Sequence, residues 1–286
     1  MTSAPLLTLR PDGARPRTES IEFLTDVSTS LDGTERRVPL RAFPRYTFTS
    51  QFTFMTDEAR EQRDMLRYAD RVGFPLTVHP VPSGANKADA GAATAGHYVS
   101  RRKTGEYAVL PAGAVPLMEW SSALEICPYV EGRIDPSRTI THRSAGISSA
   151  VLSFVVDDLD EAVGPWTGQI DATRKPVWPV RADWSADVSE RIDDIADSAD
   201  FGHRTLHEVR YSLRVISVSL LLIGRPAILE FRRLVFALQG RCNPFRYAFE
   251  PDAVERTWRL NSDTVAIDYL RNSLARVELE FLELAE

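Results

Sequence analysis

The sequence predicts a mainly β (α+β) fold: two tandem β-strand/helix domains, each with one packed α-helix, related by internal duplication. Three observations predict it. First, residues 211–251, YSLRVISVSLLLIGRPAILEFRRLVFALQGRCNPFRYAFEP, repeat the plan of residues 44–82, PRYTFTSQFTFMTDEAREQRDMLRYADRVGFPLTVHPVP. Both read as strand, breaker, helix, glycine stop, proline-bearing loop and strand. Second, the matching positions keep their order and, within a residue or so, their spacing: Phe48 with Ile216, Phe52 with Leu220, Phe54 with Leu222, Gly73 with Gly240, and Pro75 with Pro244. Third, alternation of period two marks half-buried strands in both halves.

Taken in order, residues 1–18 are rich in Pro, Arg and Thr and read as an extended arm or edge strand. Glu19 to Thr34 leads into Asp32-Gly33, a hairpin signal. Tyr46, Phe48, Phe52 and Phe54 occupy one strand face, with Thr47, Thr49, Gln51 and Thr53 on the other. Thr56-Asp57-Glu58 supplies an N-cap and an acidic first turn. Met65, Leu66, Ala69 and Val72 then form an apolar stripe at helical spacing, and Gly73 reads as its left-handed stop, followed by Pro75. Ser83 to Gly96 is small, polar and low in complexity, a surface loop. Short strands follow at Tyr107–Leu110, Val115–Trp120 and Leu124–Val130, a strand and turn at Arg133–Ser144, and a buried strand at Val151–Val156. These place a first domain over 1–160 and, with Pro165, Pro176 and Pro179, a linker over 161–183.

The second domain, 184–286, opens on Trp184-Ser185 and the acidic stretch Glu190 to Asp200. That stretch is the counterpart of Glu19 to Asp32, with Ile192 falling on Ile21. Its central strand is apolar on both faces, adding Val215 and Leu221 to Ile216, Leu220 and Leu222, as expected of a strand covered on both sides. Gly224-Arg225-Pro226 starts the second helix. Ile228, Phe231, Val235 and Leu238 make its stripe, and Gly240 stops it ahead of Pro244. Closing strands fall at Thr257–Leu260, Val265–Tyr269 and Arg276–Leu284. In the last, Val277, Leu279 and Phe281 alternate with Glu278 and Glu280, a strand paired inside a sheet or offered as an edge.

Composition narrows the function classes. The chain has 286 residues, a net charge of −6 and a pI near 5.5. That balance argues against a dedicated nucleic-acid binder, which carries a basic patch or stripe. No apolar run reaches the length of a membrane span, and the N-terminus lacks the apolar region of a signal peptide. Two cysteines, Cys127 and Cys242, form no CxxC motif and read as reduced structural thiols.

Chemistry-bearing patterns are sparse. His203 and His207 are spaced for a metal on a helix, but lack the acidic residue of the protease pattern and lead into a strand. Asp157-Asp158-Leu159-Asp160-Glu161 could bind a hard cation or supply a glycosidase pair, though it reads as a solvated turn. Residues 91–96 are not a phosphate loop, and there is no Gly-x-Ser-x-Gly elbow. The expectation is no catalytic residue, no cofactor and no metal. Arg232, Arg233, Arg241 and Arg246 cluster around the second helix and are expected to meet acidic residues of a neighbouring chain.

The entry segment ESIEFLTDVSTSLDGTERRVPLRAFPRYTF, the helix followed by Gly240-Arg-x-x-Pro-Phe245, and Trp184-Ser185 before an acidic stretch resemble the distal tail and tail-hub proteins of siphophages and gene transfer agents. The resemblance covers roughly 19–82 and 184–284 and rests on structural motifs. It implies that each of the two tandem domains is a small β-barrel with one packed α-helix, in a virion protein of the tail-tip baseplate, assembled in the host cytoplasm, whose rings enclose the tail lumen. Its partners would be sister copies and other tail proteins, with DNA passing without sequence-specific binding. Two modules per chain favour a hub-like trimer mimicking six-fold symmetry over a six-copy distal ring. A two-domain β-rich carbohydrate-binding module or hydrolase is the alternative from another class.

Overall fold

Large apolar residues alternating with Thr and Gln leave one strand face for the interior and one for water. In the computed structural model the stretch Arg45–Phe54 is such a strand: Tyr46, Phe48, Phe52 and Phe54 are buried, and Thr47, Thr49, Gln51 and Thr53 are half-exposed. The structure describes residues 5–9, 11–12, 15–30, 33–76, 96–101, 107–110, 124–136, 139–144, 146–156, 166–172, 175–178, 184–200, 205–248, 254–271 and 273–284. Over these the protein is mainly β, with two helices.

The elements are β1 (Arg17–Glu22), β2 (Thr25–Thr29), β3 (Glu35–Pro39), β4 (Arg45–Phe54), α1 (Asp57–Tyr68), β5 (Arg71–Pro75), β6 (Gly96–Arg101), β7 (Tyr107–Leu110), β8 (Leu124–Ile134), β9 (Thr139–Ser144) and β10 (Ile147–Val156). After these come β11 (Trp184–Asp200), β12 (Thr205–Ile223), α2 (Arg225–Leu238), β13 (Phe245–Tyr247), β14 (Arg256–Leu260), β15 (Thr264–Arg271) and β16 (Leu274–Glu283). The expected strand Val115–Trp120, the loop from Ser83, the cluster Asp157–Glu161 and His203 lie outside the described residues.

Two units result, and neither is a continuous stretch of chain. The first holds Met1–Ile21, Phe43–Val163 and Asp268–Asn272; the second holds Glu22–Ala42, Gly164–Ile267 and Ser273–Glu286. In the first unit β10 is central. It pairs antiparallel with β4 from Ser148↔Phe54 to Val156↔Tyr46, and its other side takes β9 and β8. β8 in turn takes β5 and the β6–β7 hairpin. β1 lies outside β4, and the Asp268–Arg271 end of β15 lies beyond β1.

In the second unit β16 has the place of β10. It pairs antiparallel with β12 from Ile223↔Leu274 to Val215↔Leu282, and its other side takes β15 and β14. β14 takes β13, and β11 lies outside β12. The order of connections is therefore the same in both units. The C-terminal strand pairs inside its sheet. Neither sheet closes into a barrel among the described residues, contrary to the expectation from sequence. β11 has β12 as its one strand neighbour, and an edge without a second partner leaves a sheet open.

The correspondence extends to single pairings. The hairpin β2–β3 runs from Thr25↔Pro39 to Thr29↔Glu35, with Gly33 at positive φ in the expected turn. Beyond a bulge at Ile195/Ala196, the outer part of β11–β12 runs from Ala196↔Val209 to Asp200↔Thr205, again five pairs. Leu6 forms a parallel bridge with Gly73, and Val177 forms one with Arg246. The N–H groups of Leu7 and Trp178 donate to the Gly73 and Arg246 carbonyls at 2.8 and 3.0 Å. Leu7 and Trp178 are both buried. Part of the expected linker thus belongs to the second unit: Trp178 stacks among Phe245 and Phe281 at 5.5 and 5.0 Å between ring centroids.

Both helices begin as read. Thr56 accepts a hydrogen bond from the Ala59 N–H at 3.2 Å, and Gly224 with Pro226 opens α2. Ile228, Phe231, Val235 and Leu238 are all buried. The stop of α1 differs. α1 ends at Ala69 in extended conformation, and Gly73 lies within β5, not in the left-handed region. A Cβ at Gly73 would overlap the Tyr129 ring, so close approach explains the glycine. Val72 is likewise in β5 and Pro75 closes that strand, whereas Pro244 precedes β13. The bridges match Gly73 to Arg246 instead of Gly240, because α2 and its turn are longer. Gly240 does have φ +65°, after Gln239 at φ 52°, which makes the two together the end of α2.

Candidate assembly surfaces

The four arginines expected to face a neighbouring chain are engaged within their own unit. Arg232 is 2% exposed, on the buried side of α2. Arg233 pairs with Glu230 one helical turn away at 3.3 Å. Arg241 donates to both Asp263 and the Thr25 carbonyl. Arg246 lies within 3.9 Å of Asp171 and 3.8 Å of Glu255. For Arg233, Arg241 and Arg246, carboxylates of the same chain lie within reach. Phe48, Phe52, Phe54, Ile216, Leu220 and Leu222 are core residues. Cys127 is buried and Cys242 half-buried, both as free thiols.

Sequence reasoning missed the seat of the β2–β3 hairpin on the second unit. Glu35 on β3 and Arg259 on β14 form a two-pronged pair with both contacts at 2.7 Å, their side chains 7% and 6% exposed. Buried guanidinium and carboxylate groups in fork geometry fix orientation strongly. The Phe23 ring meets Phe236 of α2 edge-on at 6.0 Å. The Asp263 carboxylate accepts from the N–H groups of Thr25 and Arg241, both at 2.9 Å. Burial alone would raise the Asp263 pKa; these hydrogen bonds, with those from the Arg241 side chain, outweigh it and hold the group below its ordinary value. Beside them Arg37 is pushed down, first by burial, against the attraction of Glu35 and together with the repulsion of Arg259. No motif announces this seat. The alternation of Glu35 and Arg37 is its one sequence trace.

A second exchanged piece sits in the first unit. Thr18 donates to Asp268 at 2.6 Å, and the Tyr269 hydroxyl donates to the fully buried Glu19 at 2.7 Å. The far end of β15 thus covers β1. The strand at the matching place of the second unit, β11, shows Val188 and Ile192 at 49% and 64% exposure. Among the described residues of the first unit, β9 pairs with β10 alone and is exposed at Thr139, Thr141, His142 and Arg143.

Each unit also carries a shallow groove on the outer face of its sheet. The one in the first unit, ≈ 390 Å³, is lined by Gln51, Thr139, Thr141, Ser149 and Ser153 with Asp135 and Arg143. The one in the second, ≈ 610 Å³, is lined mainly by Ser189, Ser217, Ser219, Ser262, Glu278 and Glu280. Among the described residues no three His, Cys, Asp or Glu side chains are grouped to hold a metal ion. No described helix is long and apolar enough to cross a membrane. No protein-family model matches the chain, and a search of curated proteins finds no significant match.

Proposed function

We propose that this chain is a structural virion protein of a phage tail tip, a hub-like ring component without catalytic turnover. Its two units are read as two copies of one module, so that three chains present six modules around the tail lumen. The observation that supports this most is the shared order of strand connections, β1-β4-β10 with β9, β8 and β5 against β11-β12-β16 with β15, β14 and β13. A doubled module that exchanges segments with its twin is suited to head-to-tail rings, in which one surface meets a different surface of the next copy. The net charge of −6 suits a lumen through which DNA passes without adhering.

Electron microscopy of tail tips carrying a tagged chain tests the reading. A ring of three chains at the tip is expected. Six chains in the ring would favour the distal-tail alternative, and absence of the tag from particles would exclude the virion role. A soluble monomer that binds glycans would instead favour the carbohydrate-binding alternative.

A further inference from the structure

The internal pairing pattern carries a prediction about the next copy. Aligning the β2–β3 pairings on the outer β11–β12 pairings places β1 on the inner part of β11, with Thr18, Glu19 and Ile21 on Ser189, Glu190 and Ile192. Aligning the strand pairs β4–β10 and β12–β16 places the hairpin β15–β16 on β9–β10. There Ile267, Asp268 and Tyr269 fall on Ile140, Thr141 and His142. The helix starts, Asp57 and Arg225, place Phe236 on Tyr68. The pairings of β8 with β10 and of β14 with β16 place Arg259 on Arg133.

At every one of these positions the member inside its unit's pairing is more buried than its counterpart. Ile21 is 0% exposed and Ile192 64%. Tyr269 is 1% exposed, and His142 is exposed. Phe236 meets Phe23, and Tyr68 is 87% exposed. Arg259 holds Glu35 at 5% exposure, and Arg133 is exposed. Among the described residues β11 has one strand neighbour, and a sheet edge with exposed apolar residues is a template for pairing with another strand.

We infer that β11 of one chain receives β9 of a second copy of this chain, as β1 receives β15 within a unit, and that the outer β11–β12 ribbon seats on that copy's Tyr68 and Arg133 surface. Charge favours this occupant. Residues 187–200 carry six acids and one arginine, whereas the receiving surface offers Arg133, Arg143 and His142. The contact is head-to-tail, so it repeats from copy to copy, as a ring requires. This inference rests on the assembly reading above and names the surfaces that reading requires.

The test uses full-length chains in a Cys242→Ser background, where Cys127 is buried. One chain carries Ser189→Cys and the other Thr141→Cys, both at exposed positions. They are mixed at high concentration with a short bis-maleimide, and sedimentation of the unmodified protein is measured alongside. A cross-linked product of two chains in the mixture, far exceeding that from either chain alone, is expected. Sedimentation showing assemblies while the mixture gives no such product would overturn the proposed surfaces and leave the ring standing. A chain that stays single at every concentration, or a Ser189→Cys/Thr141→Cys double variant that links only within itself, would overturn the inference. The single chain would also count against the ring.

Discussion

Ile21 and Ile192 occupy matching places on β1 and β11, yet one is fully buried and the other is 64% exposed. Nothing in the two strands accounts for the difference: ESI and ERI are nearly the same peptide. What differs is the neighbour. β1 has the end of β15 beside it, whereas among the described residues β11 has β12 as its one strand neighbour. Burial here is a property of the segment that arrives from elsewhere in the chain.

The largest effect that would sharpen this comparison concerns the hairpin seat. Glu35→Ala leaves Arg259 buried without its carboxylate, and breaking a buried pair in this way costs about 3–5 kcal/mol. Arg133→Ala, at the exposed counterpart, is expected to change the isolated chain by less than about 0.5 kcal/mol. Urea unfolding of both variants checks this. Equal losses would mean that the two positions are not the buried and exposed versions of one site. Ile21→Ala follows, at about 2–5 kcal/mol for a buried aliphatic residue. Ile192→Ala should leave thermal melting unchanged while weakening self-association by sedimentation.

The glycines give a smaller contrast. Gly240 has φ +65°, and a Cβ there would come within 2.5 Å of an Asp263 oxygen and 3.0 Å of the Phe23 Cβ. Gly240→Val is expected to cost about 1–3 kcal/mol through backbone strain, in addition to that crowding. It should loosen the hairpin seat along with the helix end, which proteolysis near Ser30 would reveal. At Gly73 the backbone is extended, so a substitution there is resisted by the Tyr129 ring and not by φ. A Tyr129→Ala change should therefore relieve Gly73→Ala, and no second change at Asp263 should fully relieve Gly240→Val.

Much of the fold was legible because local chemistry decides it. Period-two apolar residues from Tyr46 to Phe54 and from Val277 to Phe281 could form only half-buried strands, and Thr56 and Pro226 mark helix starts by their own side chains. Gly73 was misread because a glycine after a helical stripe can serve a left-handed cap or a crowded strand, and the deciding Tyr129 lies far along the chain. The exchange of segments was invisible for the same reason. Glu35 and Arg259 are separated by most of the sequence, and each is an ordinary surface residue until the other is placed. The arginines around α2 were expected to meet a neighbour's carboxylates, and sequence cannot say that Asp263, Asp171 and Glu255 of the same chain lie beside Arg241 and Arg246. Closure into barrels was implied by the resemblance, and strand patterns do not reveal whether the last edge finds a partner.

The smallest effect is a pH dependence, and it separates the filled seat from its open counterpart without a large perturbation. Asp263 titrates below its ordinary value when folded, despite burial, because the N–H groups of Arg241 and Thr25 and the Arg241 side chain hold its charged form. A carboxylate depressed in the folded state contributes stability that is complete above its unfolded pKa and is lost as pH falls through the lower, folded one. The second unit should therefore weaken as the solution is acidified through that window, with the β2–β3 hairpin releasing first, since Asp263 ties Thr25 to Arg241. Asp263→Asn keeps an acceptor oxygen but removes the titration, so its stability at neutral pH should fall modestly and its acid slope should flatten. Hydrogen exchange at the Thr25 and Arg241 amides, followed from neutral to acidic pH in both proteins, measures this directly. An acid slope unchanged in Asp263→Asn would show that another group governs release of the hairpin.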